Sequence, residues 1–304
     1  MRKIFDFSGK EGCEDIFIKT WEEFRDALAH KKFSFDEVGK AKKYNFLKAY
    51  DDIFHKNSCI NYNTVTIKEL KERLIGRGTI LNKTESLNYE RFITKKEFIK
   101  KDNRFSPPGV EWLYLAIGTE ADIHQCSQAE CRTKSGNRFG FCHFAFDDNQ
   151  LDLKIVDLTI ADNISYNEIN RKLEKCSEEP YNKLNEIFYP KWYLELLLFH
   201  SIPTFSNDKK IIIDAADDNI KDAIIEWTVY TYSKLLSEQI FKPLSEVDDK
   251  SIMYAPFQTM AQYYISLGYS GIIYGSTVCD NGKNLVLFNK DIATPTGKIE
   301  DYII

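Results

Sequence analysis

The chain has 304 residues, of which 43% are hydrophobic, and a formal net charge of −5 at pH 7. This length is enough for one large domain with an appendage or for two modest domains. The acidic balance argues against nucleic acid or an anionic membrane as the main partner, because both require a basic surface. Apolar runs such as 193–199 are much shorter than the roughly 20 residues that span a bilayer, and the residues after Met1 do not form a signal peptide. We therefore expect a cytoplasmic protein.

The cysteines predict free thiols. Seven is an odd number, and they lack the spacing of a disulfide framework. His124, Cys126, Cys131, Cys142 and His143 together contain zinc-ligand side chains, but no C-x-x-C pair occurs. Cys142 and His143 are adjacent, so they would point to opposite faces of a strand. The sequence therefore favours buried thiols and histidines and predicts no metal.

Residues 1–80 have a mainly helical pattern. Thr20-Trp21-Glu22-Glu23 resembles a capping box at a helix start, and apolar residues between 46 and 54 continue at helical spacing. A third helix is predicted over 67–75, ending at a joint formed by Gly76-Arg77-Gly78. These patterns predict a helical N-terminal extension with a packing or partner-binding role.

The residue pattern of the rest of the chain, 81–304, predicts a mixed α+β domain. Aromatic and β-branched residues favour strands, and helical patterns surround them. The predicted strands are 113–117, 139–146, 154–159, 271–276 and 284–288, and the predicted helices are 166–200, 219–241 and 258–267. Asp280-Asn281-Gly282 is a strong hairpin turn signal between the last two strands. The helices around 162–250 form a predicted insert within this domain.

Arg104 and Tyr114 are the first candidates for chemistry, on either side of a Pro-Pro-Gly turn at 107–109. Arginine binds phosphate oxygens in a bidentate manner, which suits a pyrophosphate. Tyrosine offers a flat face for a nicotinamide or a base, and a hydroxyl that can orient it. The pair is compatible with a nucleotide site, but also with a surface arginine and a core tyrosine.

Glu130 and Ser276 are the next candidates. Glu130 precedes a polar turn, and a glutamate beside a ribose can stabilise the cationic charge that develops when a glycosidic bond breaks. Ser276 follows an apolar strand but lacks the G-x-S-x-G elbow of a hydrolase nucleophile. We therefore assign Ser276 a binding or orienting role.

The segment from Arg104 to Ala116, RFSPPGVEWLYLA, resembles the "GRF-x-PPG … LYLA" signature of the RES-domain toxins. Further matches follow in the family's order over roughly 200 residues. They are AECR at 129–132, IVDLT at 155–159, Gln258 before an apolar helix, YSGIIYGS at 269–276 and NLVLF at 284–288.

The resemblance implies an ADP-ribosyltransferase-like fold and an enzyme that uses NAD+ as its substrate. Arg104, Tyr114, Glu130 and Ser276 correspond to the family's catalytic arginine, tyrosine, glutamate and serine. Arg91 corresponds to a further NAD-binding arginine through a shorter match. Nicotinamide is a good leaving group, so the enzyme stabilises the ribosyl cation and positions a nucleophile without a metal. Transfer to water gives ADP-ribose, and transfer to inorganic phosphate gives a phosphorylated ADP-ribose.

The chain departs from the family pattern in three places. Glu130 lies sixteen residues after Tyr114, which requires an insertion of five residues; without that insertion Gln125 would take the catalytic position. Gly275 replaces the proline that usually precedes the serine, which loosens the backbone there. Neither the first 80 residues nor the insert at 162–250 has a counterpart in the small toxins of the family.

The resemblance also implies a biological role. NAD+ cleavage would arrest growth unless a partner such as a DNA-binding antitoxin restrained it, or an invading phage released it, and homo-oligomers fit this picture. One alternative is a protein ADP-ribosyltransferase that uses the same site. Another is an NAD-binding module whose catalytic site has decayed.

Overall fold

In a computed structural model, the described residues are 13–56, 59–174, 226, 229–245 and 247–304. The chain forms two compact units. Unit 1 combines Met1–Asn63 with Ile160–Ile240, and unit 2 combines Thr64–Thr159 with Phe241–Ile304. None of the described helices is both long and apolar enough to cross a bilayer.

Unit 2 contains an eight-stranded mixed sheet among its described residues. The strands are β1 Thr64–Thr66, β2 Leu74–Leu81, β3 Leu113–Gly118, β4 Arg138–Phe146, β5 Lys154–Asp157, β6 Gly271–Gly275, β7 Lys283–Leu287 and β8 Ala293–Ile303. Their spatial order is β1-β5-β6-β7-β3-β2-β4-β8, and only the β5–β6 pair is parallel. The predicted α+β class is therefore confirmed. The predicted hairpin is also confirmed, because β6 and β7 pair antiparallel around Asn281, whose φ is 59°.

The helices are distributed over both units. Unit 1 contains α1 Cys13–Ala29, α2 Val38–Ala41, α3 Asn45–Tyr50 and α6 Tyr166–Glu174, with π-helical turns at Asp51–Lys56 and Leu236–Ile240. Unit 2 contains α4 Ile67–Leu70, α5 Glu120–Glu130 and α7 Lys250–Ser266. The predicted helix at 258–267 is the second half of α7. Most of the predicted helix at 166–200, and the start of the one at 219–241, lie outside the described residues.

The predicted helix over 67–75 is wrong in its second half. Helix α4 ends at Leu70, and β2 begins at Leu74. Gly76 and Gly78 are therefore strand residues and not a joint. A Cβ atom at Gly76 would lie 2.2 Å from the Phe141 ring, and one at Gly78 would lie 2.2 Å from the Phe139 ring. The glycines are needed because aromatic rings of β4 lie against β2, and this tertiary reason has no local signature.

The predicted capping box at Thr20 is also wrong. Helix α1 already includes Cys13, and the Thr20 hydroxyl donates to the Phe17 carbonyl oxygen within the helix (2.9 Å). Capping boxes do occur at Thr66, before α4, and at Thr119, before α5. The second of these fixes the start of the helix that ends at Glu130.

Strand β3 separates two apolar clusters of unit 2. Leu113, Leu115 and Ile117 belong to the larger cluster. Ala116 packs instead with residues of α5, including Ile123. Because alternate residues of a strand point to opposite faces, Tyr114 lies on the same face as Ala116 and α5.

Candidate active site

A cavity of about 380 Å³ lies within unit 2. Its lining includes Arg104, Tyr114 and Glu130, three of the residues that the sequence selected. Ser276 adjoins it, because the next two residues, Thr277 and Val278, line the cavity. The candidate residues, which are far apart in the sequence, thus lie around one cavity.

Arg104 is held by aromatic rings and by the segment after β6. Its guanidinium carbon lies 5.3–5.6 Å from the ring centroids of Phe241, Tyr254 and Phe257. One guanidinium nitrogen donates to the Thr277 hydroxyl oxygen at 3.1 Å. No ion-pair partner of Arg104 occurs within the described ranges. Its charge is therefore available to an anionic ligand, while cation–π contacts fix its position.

Gln258 of α7 anchors the segment that carries Arg104. Its side-chain amide nitrogen donates to an Asp102 carboxylate oxygen (3.0 Å) and to the Asn103 carbonyl oxygen (3.3 Å). Gln258 is only 3% exposed, so these bonds form away from solvent. The glutamine singled out by the sequence therefore positions Arg104 indirectly.

Tyr114, the second residue of β3, lines the cavity. Its hydroxyl shares a hydrogen bond of 2.9 Å with the Ser106 hydroxyl. Burial raises the pKa of Tyr114 far above its usual range, and the bond with Ser106 offsets part of that effect. Tyr114 is therefore neutral at any physiological pH, and acts through its ring and hydroxyl instead of as a phenolate.

Glu130 is the last residue of α5, and two donors hold its carboxylate. Its Oε1 atom accepts from the Ser276 hydroxyl at 2.8 Å and from the Asn284 amide nitrogen at 2.6 Å. Ser276 Oγ in turn accepts from the backbone amides of Val278 (3.2 Å) and Cys279 (3.1 Å). The carboxylate is thus oriented at the cavity by residues that follow β6 and lie on β7.

Helix α5 accounts for the long interval between Tyr114 and Glu130. Its start is fixed by the Thr119 capping box, and the chain leaves it through Arg132, whose φ of 51° is the left-handed conformation common just after helices. Gln125 is exposed on this helix and does not line the cavity. The structure therefore brings Glu130, and not Gln125, to the cavity.

Arg91 does not line the cavity in the described part of the chain. Its Nε atom donates to the Glu85 carboxylate at 2.5 Å, on the surface. Arg77 of β2 lines the cavity instead, and donates to the Thr94 hydroxyl at 2.7 Å and to the Phe92 carbonyl oxygen at 3.2 Å. Sequence reasoning missed Arg77 because it treated Gly76-Arg77-Gly78 as a joint. The available signal was the run Thr79-Ile80-Leu81 after the glycines, because β-branched and apolar residues favour a strand.

The cavity is a cationic site in an acidic protein. Arg77, Arg104, Arg132 and Lys250 line it, against the carboxylates of Asp102 and Glu130. Burial lowers the pKa of Arg77, but arginine remains charged at neutral pH. None of these four cations forms an ion pair within the ranges that the structure describes. The lining is therefore suited to a ligand with more than one negative charge.

Two cysteines lie close to the site without an evident chemical role. Burial, and next the charge of Glu130, raise the pKa of Cys126 to about 12. Burial raises the pKa of Cys131, which lines the cavity, to about 11. Thiols with such values are protonated at neutral pH and are poor nucleophiles.

The five histidines and cysteines that the sequence analysis weighed, and did not favour, as a zinc site do not meet at one point among the described residues. Cys126 contacts the Asn284 side-chain oxygen, whereas Cys142 belongs to the large apolar cluster. His124 and His143 lie together with Glu120 and Glu300. This group lies outside the lining of the cavity.

Comparisons with known proteins leave the site to be interpreted from its own chemistry, because no protein-family model, curated protein or solved structure matches the chain.

Proposed function

We propose that this protein cleaves the bond between nicotinamide and ribose in NAD+ and transfers the ADP-ribose moiety to water or inorganic phosphate. One observation carries the proposal: a carboxylate held by Ser276 and Asn284 lies in the same cavity as three arginines without ion-pair partners among the described residues. This combination suits a substrate that has a pyrophosphate and develops a positive charge on ribose as its bond breaks.

Each residue has a distinct role in this proposal. Arg104 and Arg77 bind the pyrophosphate oxygens, where charge-assisted hydrogen bonds are strongest. Tyr114 stacks on the nicotinamide end of the substrate and orients it. Glu130 contacts the ribose hydroxyls and stabilises the oxocarbenium-like transition state, while Ser276 and Asn284 keep its carboxylate in place. No bound metal is required, because nicotinamide leaves as a neutral molecule.

The wider role follows from the resemblance to the RES-domain toxins. In this proposal unit 2 has an ADP-ribosyltransferase-like fold, and the protein arrests growth by consuming NAD+ in the cytoplasm. It acts in a toxin–antitoxin or antiphage system, in which an antitoxin partner restrains it. The protein also forms homo-oligomers in this proposal.

The direct test is incubation of the purified protein with NAD+, with and without inorganic phosphate, followed by chromatography of the products. We expect release of nicotinamide, together with ADP-ribose or its phosphorylated form. NAD+ labelled in the adenylate would distinguish the alternatives, since a protein ADP-ribosyltransferase leaves label on protein. Binding of NAD+ without nicotinamide release above background would instead indicate a decayed site and refute the proposal.

A further inference from the structure

A group of two histidines and two glutamates joins α5 to the sheet, away from the cavity. Glu120 and His124 lie on the first turns of α5, His143 lies on β4, and Glu300 lies on β8. One ligand atom from each lies within 4.8 Å of all the others. Three elements of the sheet unit thus present nitrogen and oxygen atoms to one point.

Three of the six distances between the four ligand atoms are close to the edges of a tetrahedron around a metal ion, and the other three are at most 4.8 Å. His124 Nε2 lies 3.1 Å from Glu120 Oε1 and 3.5 Å from Glu300 Oε1, and His143 Nε2 lies 3.1 Å from both Glu120 carboxylate oxygens. Ligands about 2.0–2.1 Å from a tetrahedral zinc ion are separated by about 3.3 Å. Small side-chain adjustments would therefore complete the coordination.

The surroundings of His124 hold its ring in the orientation that a ligand needs. The Phe141 ring stacks on it, with centroids 3.9 Å apart. The second ring nitrogen, Nδ1, lies 3.3 Å from the Tyr302 hydroxyl, which also accepts from Gln128 Nε2 at 3.0 Å. Metal-binding histidines usually form such a bond through the nitrogen that does not contact the metal. His124 Nε2 then faces the group with its lone pair.

We propose that Glu120, His124, His143 and Glu300 bind one Zn²⁺ ion that fastens the N-terminal half of α5 to β4 and β8. Two carboxylates balance the charge of the ion, and imidazole ligands favour zinc over Mg²⁺ or Ca²⁺. The ion is structural, because four protein ligands leave no open position for a substrate. This site is independent of the proposed cleavage of NAD+.

The test is calorimetric titration of EDTA-treated, dialysed protein with ZnCl₂. We expect one saturable site, no comparable binding of MgCl₂, and a rise in Tm of about 5 °C at free Zn²⁺ a hundredfold above Kd. His143→Ala should weaken binding at least about 100-fold, and Tyr302→Phe about 10-fold. His30→Ala is the matched control, because His30 is an exposed histidine of α1's C-terminal turn in unit 1, and it should bind Zn²⁺ normally.

Glu300→Gln provides a second variant if His143→Ala does not fold, since Glu300 lies on the edge strand β8. It should also weaken Zn²⁺ binding. The absence of a saturable one-to-one site in the folded wild-type protein would overturn the proposal. Unchanged affinity in folded Glu300→Gln and His143→Ala would overturn it as well, because the ion would then bind elsewhere.

Discussion

Replacing Glu130 by glutamine isolates the contribution of one negative charge to the proposed reaction. Glutamine keeps an amide oxygen that can accept from Ser276 and Asn284, so the local hydrogen bonds persist in the variant. Only the charge facing the ribose is removed. A change in rate therefore reports transition-state stabilisation more directly than deletion of the whole side chain.

The size of the effect follows from the position of the carboxylate. A unit charge about 4 Å from a developing cation gains about 4 kcal/mol at an effective dielectric constant of about 20. Glu130 is exposed, so screening by solvent places the value at or below this figure. Loss of about 2.7–4 kcal/mol corresponds to a decrease in kcat of roughly 10² to 10³.

The assay is nicotinamide release under saturating NAD+, with thermal unfolding measured on the same preparations. Gln125→Ala is the control on the same helix, because Gln125 is exposed and lies outside the cavity lining. We expect wild-type kcat in the control and an unchanged Tm in both variants. A Glu130→Gln enzyme with kcat within about threefold of wild type would refute the assigned role of Glu130.

Three further predictions concern the other parts of the molecule. Arg77→Ala should raise KM for NAD+ by roughly 10- to 100-fold through loss of a charge-assisted bond, whereas Arg91→Ala should leave KM unchanged. Steady-state kinetics in which Arg91→Ala has the larger effect would contradict the assignment of Arg77 to the NAD+ site. Gly78→Ala should lower the free energy of unfolding of unit 2 by about 1–3 kcal/mol, measured in urea, because its methyl group would overlap the Phe139 ring. Gly39→Ala is the control and should not lower stability, because the space around Gly39 is open. Cys126 should react with iodoacetamide at pH 8 roughly 10³-fold more slowly in the folded protein than in the unfolded chain. The reason is that raising its pKa from 9.0 to about 12 lowers the fraction of thiolate by that factor. Equal rates of labelling, measured by mass spectrometry, would show that the thiol is not protected.

Strands with a local signature were predictable from the sequence. Apolar and aromatic runs identified β3, β4, β5, β6 and β7, and the Asp280-Asn281-Gly282 turn correctly joined the last two. Strand β2 was missed because Gly76 and Gly78 suggest a break, although the glycines accommodate rings from β4. Strand β8 was missed because its alternation includes many exposed polar residues, as expected for a strand at the edge of a sheet.

The candidate site was predictable to the extent that family motifs named its residues. Arg104, Tyr114 and Glu130 line one cavity, and Ser276 contacts Glu130. Arg77 and Asn284 were not found, because their placement depends on the register of β2 against β4 and of β7 against β3. Register depends on how two strands pair, so the local pattern of one strand does not reveal it.

The discontinuity of unit 2 has a consequence for the synthesis of the protein. The bond between Glu130 and Asn284 joins residues 154 positions apart, and the segment 160–240 of the other unit intervenes. At about 5–20 residues per second, a ribosome needs about 8 to 30 s to advance from one residue to the other. During that interval the nascent chain has Arg77, Arg104 and Tyr114 but lacks the groups that orient the carboxylate. A ribosome translating this message would therefore not complete the candidate site until β7 has been synthesised, so any partner that restrains the proposed activity would have that interval in which to bind the chain.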